Sequence, residues 1–419
     1  MIRLETTMSG FQKKILLLIL SVFICFSFAL SASLSIQDTK DLITITGRVF
    51  FDINTNNIGD EGEPGIPGVV VSDQIEAVAT DAEGNYRMEG SGGFGIVFIS
   101  IPDGWNIKNS FWKKIESSSG QFNTDFPLIQ TGKIEEFAFI HASDPHLSKN
   151  VLSRFEKCKS IAESIRPAFI LMTGDLVHDA LRVGEEEAEG YFELYKSETD
   201  KFPASVWNVP GNHELFGIER NLSQISREHP LYGKKMYRHY LGPDYYSFNF
   251  GGVHFIGLDT VDYEDTLYYG RIDETQLGWL KKDLSFVPPD IPVVTFCHIP
   301  FFSAVQTLMG FMDSISSSNI IQIGKTTFFR HHVSNADAAL ELLKGSNYTL
   351  ALAGHLHAKE CLWYELEGNR IRFHQASAIL GDVVYGGMRM ASGVTLYRVK
   401  KSEIDDGEFI PLGKAQTEK

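Results

Sequence analysis

In the middle of this chain, runs of apolar residues end repeatedly in small clusters of Asp, Asn and His. The clusters lie in the stretches "SDPHLS", "TGDLVHD", "GNHE", "CHIP" and "GHLH". Helical patterns separate several of the runs, and alternating strands and helices predict an α/β domain. In α/β sheets, ligands bind in the crevice beyond the carboxyl ends of the strands. We therefore expect the five clusters to meet at one edge of the sheets.

The residue types in these clusters are those that bind a pair of divalent metal ions. Hard or borderline cations accept carboxylate, imidazole and amide oxygen ligands, and a carboxylate such as Asp175 can bridge two ions. Two ions about 3.5 to 4 Å apart share a water, lower its pKa and hold a phosphoryl oxygen during in-line attack. Beyond the first 32 residues only three cysteines occur, Cys158, Cys297 and Cys361, without close spacing. A disulfide framework and a thiolate zinc site are therefore not expected.

In this order, the five blocks resemble the calcineurin-like metallophosphoesterase superfamily from Glu135 to Val399. The resemblance implies two packed β-sheets flanked by helices, and a centre of two divalent ions for which Mn, Fe and Zn are all compatible with the ligand types. The implied ligands are Asp144, His146 and His357 for one ion, Asn212, His298 and His355 for the other, and Asp175 for both.

Two further histidines gain a catalytic role from the same resemblance. His213 would stabilise the phosphoryl transition state or protonate the leaving oxygen. His178 resembles the histidine that accompanies the bridging aspartate in nuclease-like branches of the superfamily. The implied activity is hydrolysis of a phosphate monoester or diester by a metal-bound hydroxide.

The substrate is expected to be a small-molecule ester of a lipid, sugar or nucleotide. The superfamily's Ser/Thr protein phosphatases carry Asp-Arg-Gly soon after the bridging aspartate, whereas this chain has "GDLVHDALR", which argues against a phosphoprotein substrate. A formal net charge of -15 argues against a general nucleic-acid binder. The alternative from another class is a surface binding or adhesion protein whose phosphoesterase domain is vestigial.

Residues 1–32 predict a secretory signal peptide. Arg3, Lys13 and Lys14 precede the apolar run "ILLLILSVFICFSFAL", and small residues follow in "SASLS". An uncleaved membrane anchor is the alternative, because the run is near the lower length limit for spanning a bilayer. We expect the protein to be exported, to the periplasm, the cell surface or the extracellular medium.

Residues 41–102 predict a small all-β sandwich, because short β-branched runs alternate with Gly, Asn, Asp and Pro turns. The stretches "GRVFFDINTNNIGDEGEPGIPGVVV" and "TDAEGNYRM" resemble Ig-like modules of bacterial surface proteins and of some secreted phosphoesterases. The polar loop 52–63 fits either Ca²⁺ binding or a solvated turn. Residues 103–132 predict a linker or covering segment, 133–400 the phosphoesterase domain, and 401–419 a charged tail.

Several polar residues near the clusters have competing interpretations. His141 and His254 lie inside strand patterns and are expected to be structural. Asp179 either hydrogen-bonds His213 or caps the following helix. Glu214 either orients its loop or caps the next turn.

The apolar segment 300–335 is either a cap that binds an apolar leaving group or a helical insert packed on the core. Residues considered as substrate contacts in this segment are Phe301, Phe302, Phe311, Arg330, His331 and His332. The last three also fit a solvated face. The glycine-rich stretch "LGDVVYGGMRMASG" predicts a loop at the rim of the site, with Asp382 and Tyr385 as candidate contacts.

Overall fold

The computed structural model describes residues 43–413 except 91, 117–119, 306, 308–318 and 367. The predicted signal peptide therefore lies outside the described residues. Within the described part, no helix is both long and apolar enough to cross a membrane.

The N-terminal region folds into two β-sheets, as predicted for an all-β module. Its strands are β1 Ile43–Phe51, β2 Val70–Ser72, β3 Ala77–Ala79, β4 Asn85–Gly90, β5 Ile96–Ser100, β6 Trp105–Asn106, β7 Trp112–Lys114, β8 Gly120–Asn123 and β9 Phe126–Gln130. One sheet has the order β4-β1-β9-β6, with β8 also paired to β1, and the other has the order β3-β2-β5-β7. Buried side chains of both sheets, including Val49 and Val71, belong to one core.

The segment 103–132 differs from the predicted linker, because it supplies four of these strands. β8 and β9 pair in parallel with β1, while β6 pairs with β9 and β7 with β5. Phe126 and Leu128 are fully buried. The polar residues that suggested a linker, such as Lys114 and Gln121, are exposed on strands too short to show a clear alternating pattern.

The remainder of the chain contains eighteen strands among the described residues. They are β10 Glu136–Ala142, β11 Phe169–Thr173, β12 Ser205–Val209, β13 Tyr246–Phe250, β14 Val253–Gly257, β15 Val261–Glu264, β16 Leu267–Gly270, β17 Pro292–Phe296, β18 Ile320–Ile323, β19 Thr326–Phe329, β20 Asn347–Ala353, β21 Glu360–Leu366, β22 Asn369–Gln375, β23 Val383–Tyr385, β24 Met388–Met390, β25 Gly393–Lys400, β26 Glu403–Ile404 and β27 Glu408–Pro411. One six-stranded sheet has the order β12-β11-β10-β25-β26, with β27 also on β25, and the second has the order β13-β14-β17-β20-β22-β21. Three two-stranded hairpins, β15-β16, β18-β19 and β23-β24, complete the list.

Short helices connect the strands. Their bounds are α1 Leu152–Ile165, α2 Glu185–Thr199, α3 Arg220–Ser223, α4 Lys235–Tyr240, α5 Glu274–Leu284 and α6 Ala336–Leu343, with 3-10 turns at Lys149–Val151 and Asn212–Glu214. α1 is followed by Arg166, its C-cap, which adopts a left-handed conformation just before Pro167. α5 begins after Asp273, whose side chain accepts a hydrogen bond from the backbone N–H of Gln276.

Alternate residues of β10 and β11 face two different cores. Phe139 and Phe169 contact Phe255 of the second sheet, with ring centroids 5.7 and 5.2 Å apart. Their neighbours Ile140 and Ile170 pack instead in a core shared with α1 and α2. The two sheets therefore pack face to face with helices outside them, which confirms the predicted fold.

Residues 401–413, the described part of the predicted charged tail, contain two strands. β26 and β27 both pair antiparallel with β25. Leu412 is buried, and the guanidinium of Arg154 donates a hydrogen bond to the carbonyl of Gly413. The charged residues around these two short strands obscure their pattern in the sequence.

The N-terminal module is fixed to the phosphoesterase domain by a shared core. Trp279 of α5 is fully buried, and its ring packs against Phe98 of β5. The indole N–H of Trp279 donates to the hydroxyl of Ser72 over 3.1 Å. Gln74 donates to a carboxylate oxygen of Asp244 over 2.7 Å. These buried contacts imply that the module and the domain unfold together.

We predict that Phe98→Ala destabilises the whole protein by about 3 to 5 kcal/mol, because it removes a ring from this shared core. Denaturant unfolding followed by tryptophan fluorescence and by far-UV circular dichroism should give one coincident transition at lower denaturant. Ile53→Ala, at an exposed loop position, is the control and should change stability by less than about 0.5 kcal/mol. A separate early transition confined to the module would contradict the shared core.

Candidate metal centre

All seven predicted metal ligands lie just beyond the carboxyl ends of strands in the two central sheets. Their positions are Asp144 and His146 after β10, Asp175 after β11, Asn212 after β12, His298 after β17, and His355 and His357 after β20. β10, β11 and β12 are parallel neighbours, and so are β17 and β20. Parallel strands present their carboxyl ends at one edge, so the ligands come together there.

The ligand atoms form two groups that share one carboxylate. In the first group, the ligand atoms of Asp144, His146, Asp175 and His357 lie within 4.8 Å of one another. In the second, those of Asp175, His298 and His355 do the same. Asp175 thus holds the bridging position that the sequence predicts.

Individual distances define the two groups. In the first, Nε2 of His357 lies 3.2 Å from Oδ1 of Asp144, and Nε2 of His146 lies 3.5 Å from Oδ2 of Asp175. In the second, Nε2 of His298 lies 3.3 Å from Oδ1 of Asp175.

Asn212 belongs to the second group through its amide oxygen. Its Oδ1 lies 3.3 Å from Nε2 of His298. The group therefore offers carboxylate, imidazole and amide oxygen donors at one point, as the resemblance implies.

Five of the seven ligand residues have a left-handed backbone. The φ values are 52° at Asp144, 42° at His146, 48° at Asp175, 73° at His355 and 52° at His357. Such conformations in residues other than glycine cost on the order of 1 to 3 kcal/mol each and cluster at functional sites. The fold retains this strain where the ligands must turn toward a common point.

Glycines before the ligands permit close approach between loops. A Cβ on Gly174, which has a φ of 80°, would lie 2.4 Å from Nδ1 of His298. A Cβ on Gly211 would lie 2.3 Å from Oδ1 of Asp175. Any larger residue would collide at these two positions, so glycine is required where the loops approach each other.

The two carboxylates are buried yet favour the ionised form. Burial opposes the charge on Asp175, but the imidazoles of His298 and His213 outweigh it and hold the pKa of Asp175 well below its usual value. Burial likewise opposes the charge on Asp144, and His357 outweighs it and lowers the pKa of Asp144. Burial and neighbouring His213 lower the pKa of His146 to about 3, which keeps it neutral.

This donor set fits two divalent metal ions. Metals bind ionised carboxylates and neutral imidazoles. Despite burial, Asp175 raises the pKa of His298 to about 9 and Asp144 raises the pKa of His357, so bound ions would displace protons held on these two imidazoles. Buried carboxylates also need compensating positive charge, because an isolated buried ion is costly. The set contains no thiolate, so its chemistry suits Mn, Fe or Zn without selecting among them.

His213 lies beside the ligand groups without being part of either. Its Nδ1 donates a hydrogen bond to the carbonyl oxygen of His178 over 2.7 Å. Because a carbonyl can only accept, this contact fixes a proton on Nδ1 and turns Nε2 toward the centre. Nε2 lies 3.9 Å from Oδ2 of Asp175, and the backbone N–H of His213 donates to Oδ1 of Asp175.

His178 contributes its backbone to this arrangement, whereas its side chain is exposed. The imidazole lies edge-on to Tyr191, with ring centroids 5.6 Å apart. The catalytic role of the His178 imidazole therefore stays a prediction, and its carbonyl has a clear role in orienting His213.

Asp179 serves the turn in which it lies. Its carboxylate accepts hydrogen bonds from the backbone N–H of Leu181 and from the guanidinium of Arg182. Its nearest oxygen is 4.0 Å from Nδ1 of His213, too long for a hydrogen bond. The structure supports neither predicted role, because the helix that follows, α2, has Gly184 and not Asp179 as its N-cap.

Glu214 joins the loops that carry Asp175 and Asn212. Its Oε1 accepts the backbone N–H of Val177 over 2.9 Å, and its Oε2 accepts that of Gly211 over 2.6 Å. The side chain is fully buried, and burial together with Asp175 raises the pKa of Glu214 to about 8. Glu214 therefore orients the loop, and its position inside "GNHE" was the available sequence signal.

His141 and His254 are structural, as expected. Nε2 of His141 lies 3.0 Å from the hydroxyl of Thr173. The two ring nitrogens of His254 lie 2.8 Å from side-chain oxygens of Asn249 and Asp283.

The segment 300–335 contains the β18-β19 hairpin, and its predicted contacts divide among several roles. Phe301 is buried and Phe302 half-buried, and both rings contact Phe373. Phe311 lies outside the described residues. The guanidinium of Arg330 stacks over the ring of Tyr268.

The two histidines that follow Arg330 differ in their contacts. Nδ1 of His331 lies 2.7 Å from Nε2 of His355. Nε2 of His332 lies 3.2 Å from the carbonyl of Ser303. His331 therefore touches His355, a predicted metal ligand, which neither of its predicted roles anticipated.

The predicted rim loop forms the β23-β24 hairpin. Tyr385 packs against a small buried cluster that includes Leu356, the residue between His355 and His357. Burial, and then Asp144, raise the pKa of Tyr385. The other candidate, Asp382, instead bonds the guanidinium of Arg389.

Two ranges of this chain match known protein families. Residues 137–359 match the family described as "Calcineurin-like phosphoesterase", and residues 53–131 match the family described as "N terminal of Calcineurin-like phosphoesterase". The second match covers most of the N-terminal module.

Two curated proteins and one solved structure are similar to this chain. A protein from Rhodococcus erythropolis named "Probable cyclic nucleotide phosphodiesterase" is 25% identical over 230 residues, which are 52% of this chain and 64% of that protein. A "Manganese-dependent ADP-ribose/CDP-alcohol diphosphatase" from Xenopus tropicalis is 38% identical over 58 residues, 14% of this chain and 17% of that protein. A dimetal phosphatase from Danio rerio has 13% identity and a TM-score of 0.45, covering 66% of this chain and 97% of the other. The chain thus spans less than two thirds of either curated relative.

We predict that Glu214→Ala destabilises the protein by about 1 to 3 kcal/mol for each of the two buried N–H groups it leaves without an acceptor. Glu214→Gln retains one acceptor oxygen and should lose less. Denaturant unfolding of the metal-free protein measures both changes without contribution from bound ions. Equal stability of the parent and Glu214→Ala would show that this side chain does not join the two loops.

Proposed function

Because the chain belongs to the calcineurin-like phosphoesterase family, we propose that it hydrolyses a phosphodiester or diphosphate bond in a small molecule, with nucleotides as the substrate class. The observation that carries this proposal is the sharing of Asp175 between two ligand groups. One relative is named a cyclic nucleotide phosphodiesterase and another an ADP-ribose/CDP-alcohol diphosphatase. Both names describe nucleotides whose phosphate carries two ester or anhydride links.

The residues that would hold the two ions are Asp144, His146 and His357 for the first, Asn212, His298 and His355 for the second, and Asp175 for both. When bound, two such ions lower the pKa of a water molecule and neutralise charge on the phosphoryl group.

His213 is proposed as the group that delivers a proton to the leaving oxygen. Its Nδ1 proton is held by the carbonyl of His178, so an imidazolium at this position carries its transferable proton on Nε2. The carboxylate of Asp175, 3.9 Å from Nε2, attracts the positive charge of that form. The carbonyl of His178 thus orients the acid, and the imidazole of His213 transfers the proton.

An apolar wall beside the centre is proposed to contact the base or sugar of the substrate. Val305, Leu356 and Ala358 form a buried cluster, against which Tyr385 and Met390 pack. Tyr385 and Met390 are half-buried, so they are the members that can contact a ligand, and the charge of Asp144 acts on Tyr385. Apolar and aromatic side chains with a few polar groups are the usual lining of small-molecule sites.

Export of the protein is part of the same proposal and rests on the leader pattern of residues 1–32. The thiols of Cys158, Cys297 and Cys361 are free, and the first two are buried. Free thiols at these three positions are compatible with an exported or a retained protein, so the leader pattern alone supports export.

We predict that the protein loses hydrolysis of bis(p-nitrophenyl) phosphate after chelation and regains it with Mn²⁺ or Zn²⁺. Asp175→Asn, which removes the charge and one oxygen of the bridge, should lower kcat/KM by more than about 100-fold, because even residues that only support ligands cost 10 to 100-fold. Cyclic nucleotides and nucleotide diphosphate esters, assayed beside p-nitrophenyl phosphate, test the substrate class.

The alternative, an adhesion protein with a vestigial domain, gives the opposite result in this assay. It predicts no metal-dependent hydrolysis by the parent protein and no difference from Asp175→Asn. Higher kcat/KM on the monoester than on every diester would contradict the proposed bond type.

Two substitutions distinguish a metal ligand from the proposed acid. His213→Ala should keep both ions and lose turnover by about 100 to 10,000-fold, the usual contribution of acid–base catalysis. Asn212→Ala should instead weaken one ion. Metal content by mass spectrometry and turnover, measured on the same samples, distinguish the two outcomes.

His178→Ala is the matched comparison for His213→Ala, because it removes an exposed imidazole and retains the carbonyl that orients His213. A loss of turnover as large as that of His213→Ala would assign the His178 side chain to catalysis. Loss of metal from His213→Ala would contradict its role as an acid outside the ligand groups.

A further inference from the structure

His355 makes a contact on each side of its ring. Its Nδ1 lies 3.1 Å from Nε2 of His298, which itself lies 3.3 Å from Oδ1 of both Asp175 and Asn212. Its Nε2 lies 2.7 Å from Nδ1 of His331. Nδ1 is therefore the atom that faces the second ligand group, and Nε2 faces away from it.

The direction of the contact with His331 follows from this geometry. A neutral imidazole that offers Nδ1 to a metal must carry its proton on Nε2. Nε2 of His355 therefore donates, and Nδ1 of His331 accepts. Metal-bound histidines are commonly oriented by an acceptor for their second N–H.

His331 is held in place by backbone contacts on the residues around it. The N–H of Arg330 donates to the carbonyl of Asn319. The N–H of Val333 donates to the carbonyl of Pro300, two residues beyond His298. The backbone around His331 is thus hydrogen-bonded both to its own hairpin and to the loop that carries His298.

We propose that His331 is a positioning residue of the second metal site, which accepts the Nε2 proton of His355 and thereby fixes Nδ1 as the ligand atom. The inference rests on the proposed metal centre and goes beyond its implied ligands, because His331 belongs to neither ligand group. Loss of such an acceptor typically costs 10 to 100-fold in metal affinity. The effect should fall on one of the two ions, since His355 belongs to the second group alone.

Calorimetric titration of the chelated protein with Mn²⁺ tests the proposal. The parent protein should bind two ions, and His331→Leu should weaken one of them by about 10 to 100-fold while the other is unchanged. His331→Asn should restore most of the lost affinity, because its Oδ1 can stand where Nδ1 accepts. His332→Leu is the control for substitution in this segment and should bind both ions like the parent, because His332 contacts the Ser303 carbonyl.

The outcomes separate this inference from the proposed function. If the parent binds fewer than two ions, the metal centre itself is wrong, and the role of His331 is lost with it. If the parent binds two and His331→Leu binds both equally well, the positioning role alone is overturned. Equal losses in the Leu and Asn variants would assign His331 to packing and would also overturn the hydrogen bond.

The protonation of both imidazoles can also be measured in the parent protein, so this test does not require any variant to fold. In the Zn²⁺-loaded protein, ¹⁵N NMR of the imidazoles should show His355 protonated at Nε2 and His331 unprotonated at Nδ1. A proton on Nδ1 of His331 would overturn the proposal.

Discussion

The structure depends on two buried carboxylates, Asp144 and Asp175, held ionised where the two central sheets meet. Taking such groups out of water costs several kcal/mol each unless cations and hydrogen bonds compensate. The side chains that compensate them are imidazoles and not lysines or arginines. An imidazole can lose its proton and bind a metal ion in its place. That requirement explains why the polar residues gather at the strand ends, since the interior of the sheets offers no compensation.

The surrounding strands and loops hold these groups in position. Parallel strands bring the loops to one edge, glycines allow the loops to touch, and Glu214 joins two of them through backbone N–H groups. Five ligands adopt left-handed backbone conformations that would be unfavourable elsewhere. The sheet core, with Phe139 and Phe169 packed on Phe255, is rigid enough to hold this strain.

The meeting of the five clusters could be predicted from sequence, because apolar strands end at polar residues and parallel strands share an edge at their carboxyl ends. The assignment of single residues to the two ions rests on the resemblance to the family. The linker and tail predictions differ from the structure because β6, β7, β26 and β27 are only two to four residues long, and because β8 and β9 pair with β1, which lies far earlier in the chain. The contact of Gln74 with Asp244 spans 170 residues and leaves no periodic signal. His331 reaches His355 from a segment without a recognisable pattern, so only the folded chain reveals the contact.

Anomalous X-ray diffraction from crystals of the Mn²⁺-loaded protein would show directly whether Asp175 is shared by two ions. We expect two peaks about 3.5 to 4 Å apart with the carboxylate of Asp175 between them. One ion would lie among Asp144, His146 and His357, and the other among Asn212, His298 and His355. A single peak, or two peaks that do not share Asp175, would contradict a dinuclear centre built on that carboxylate.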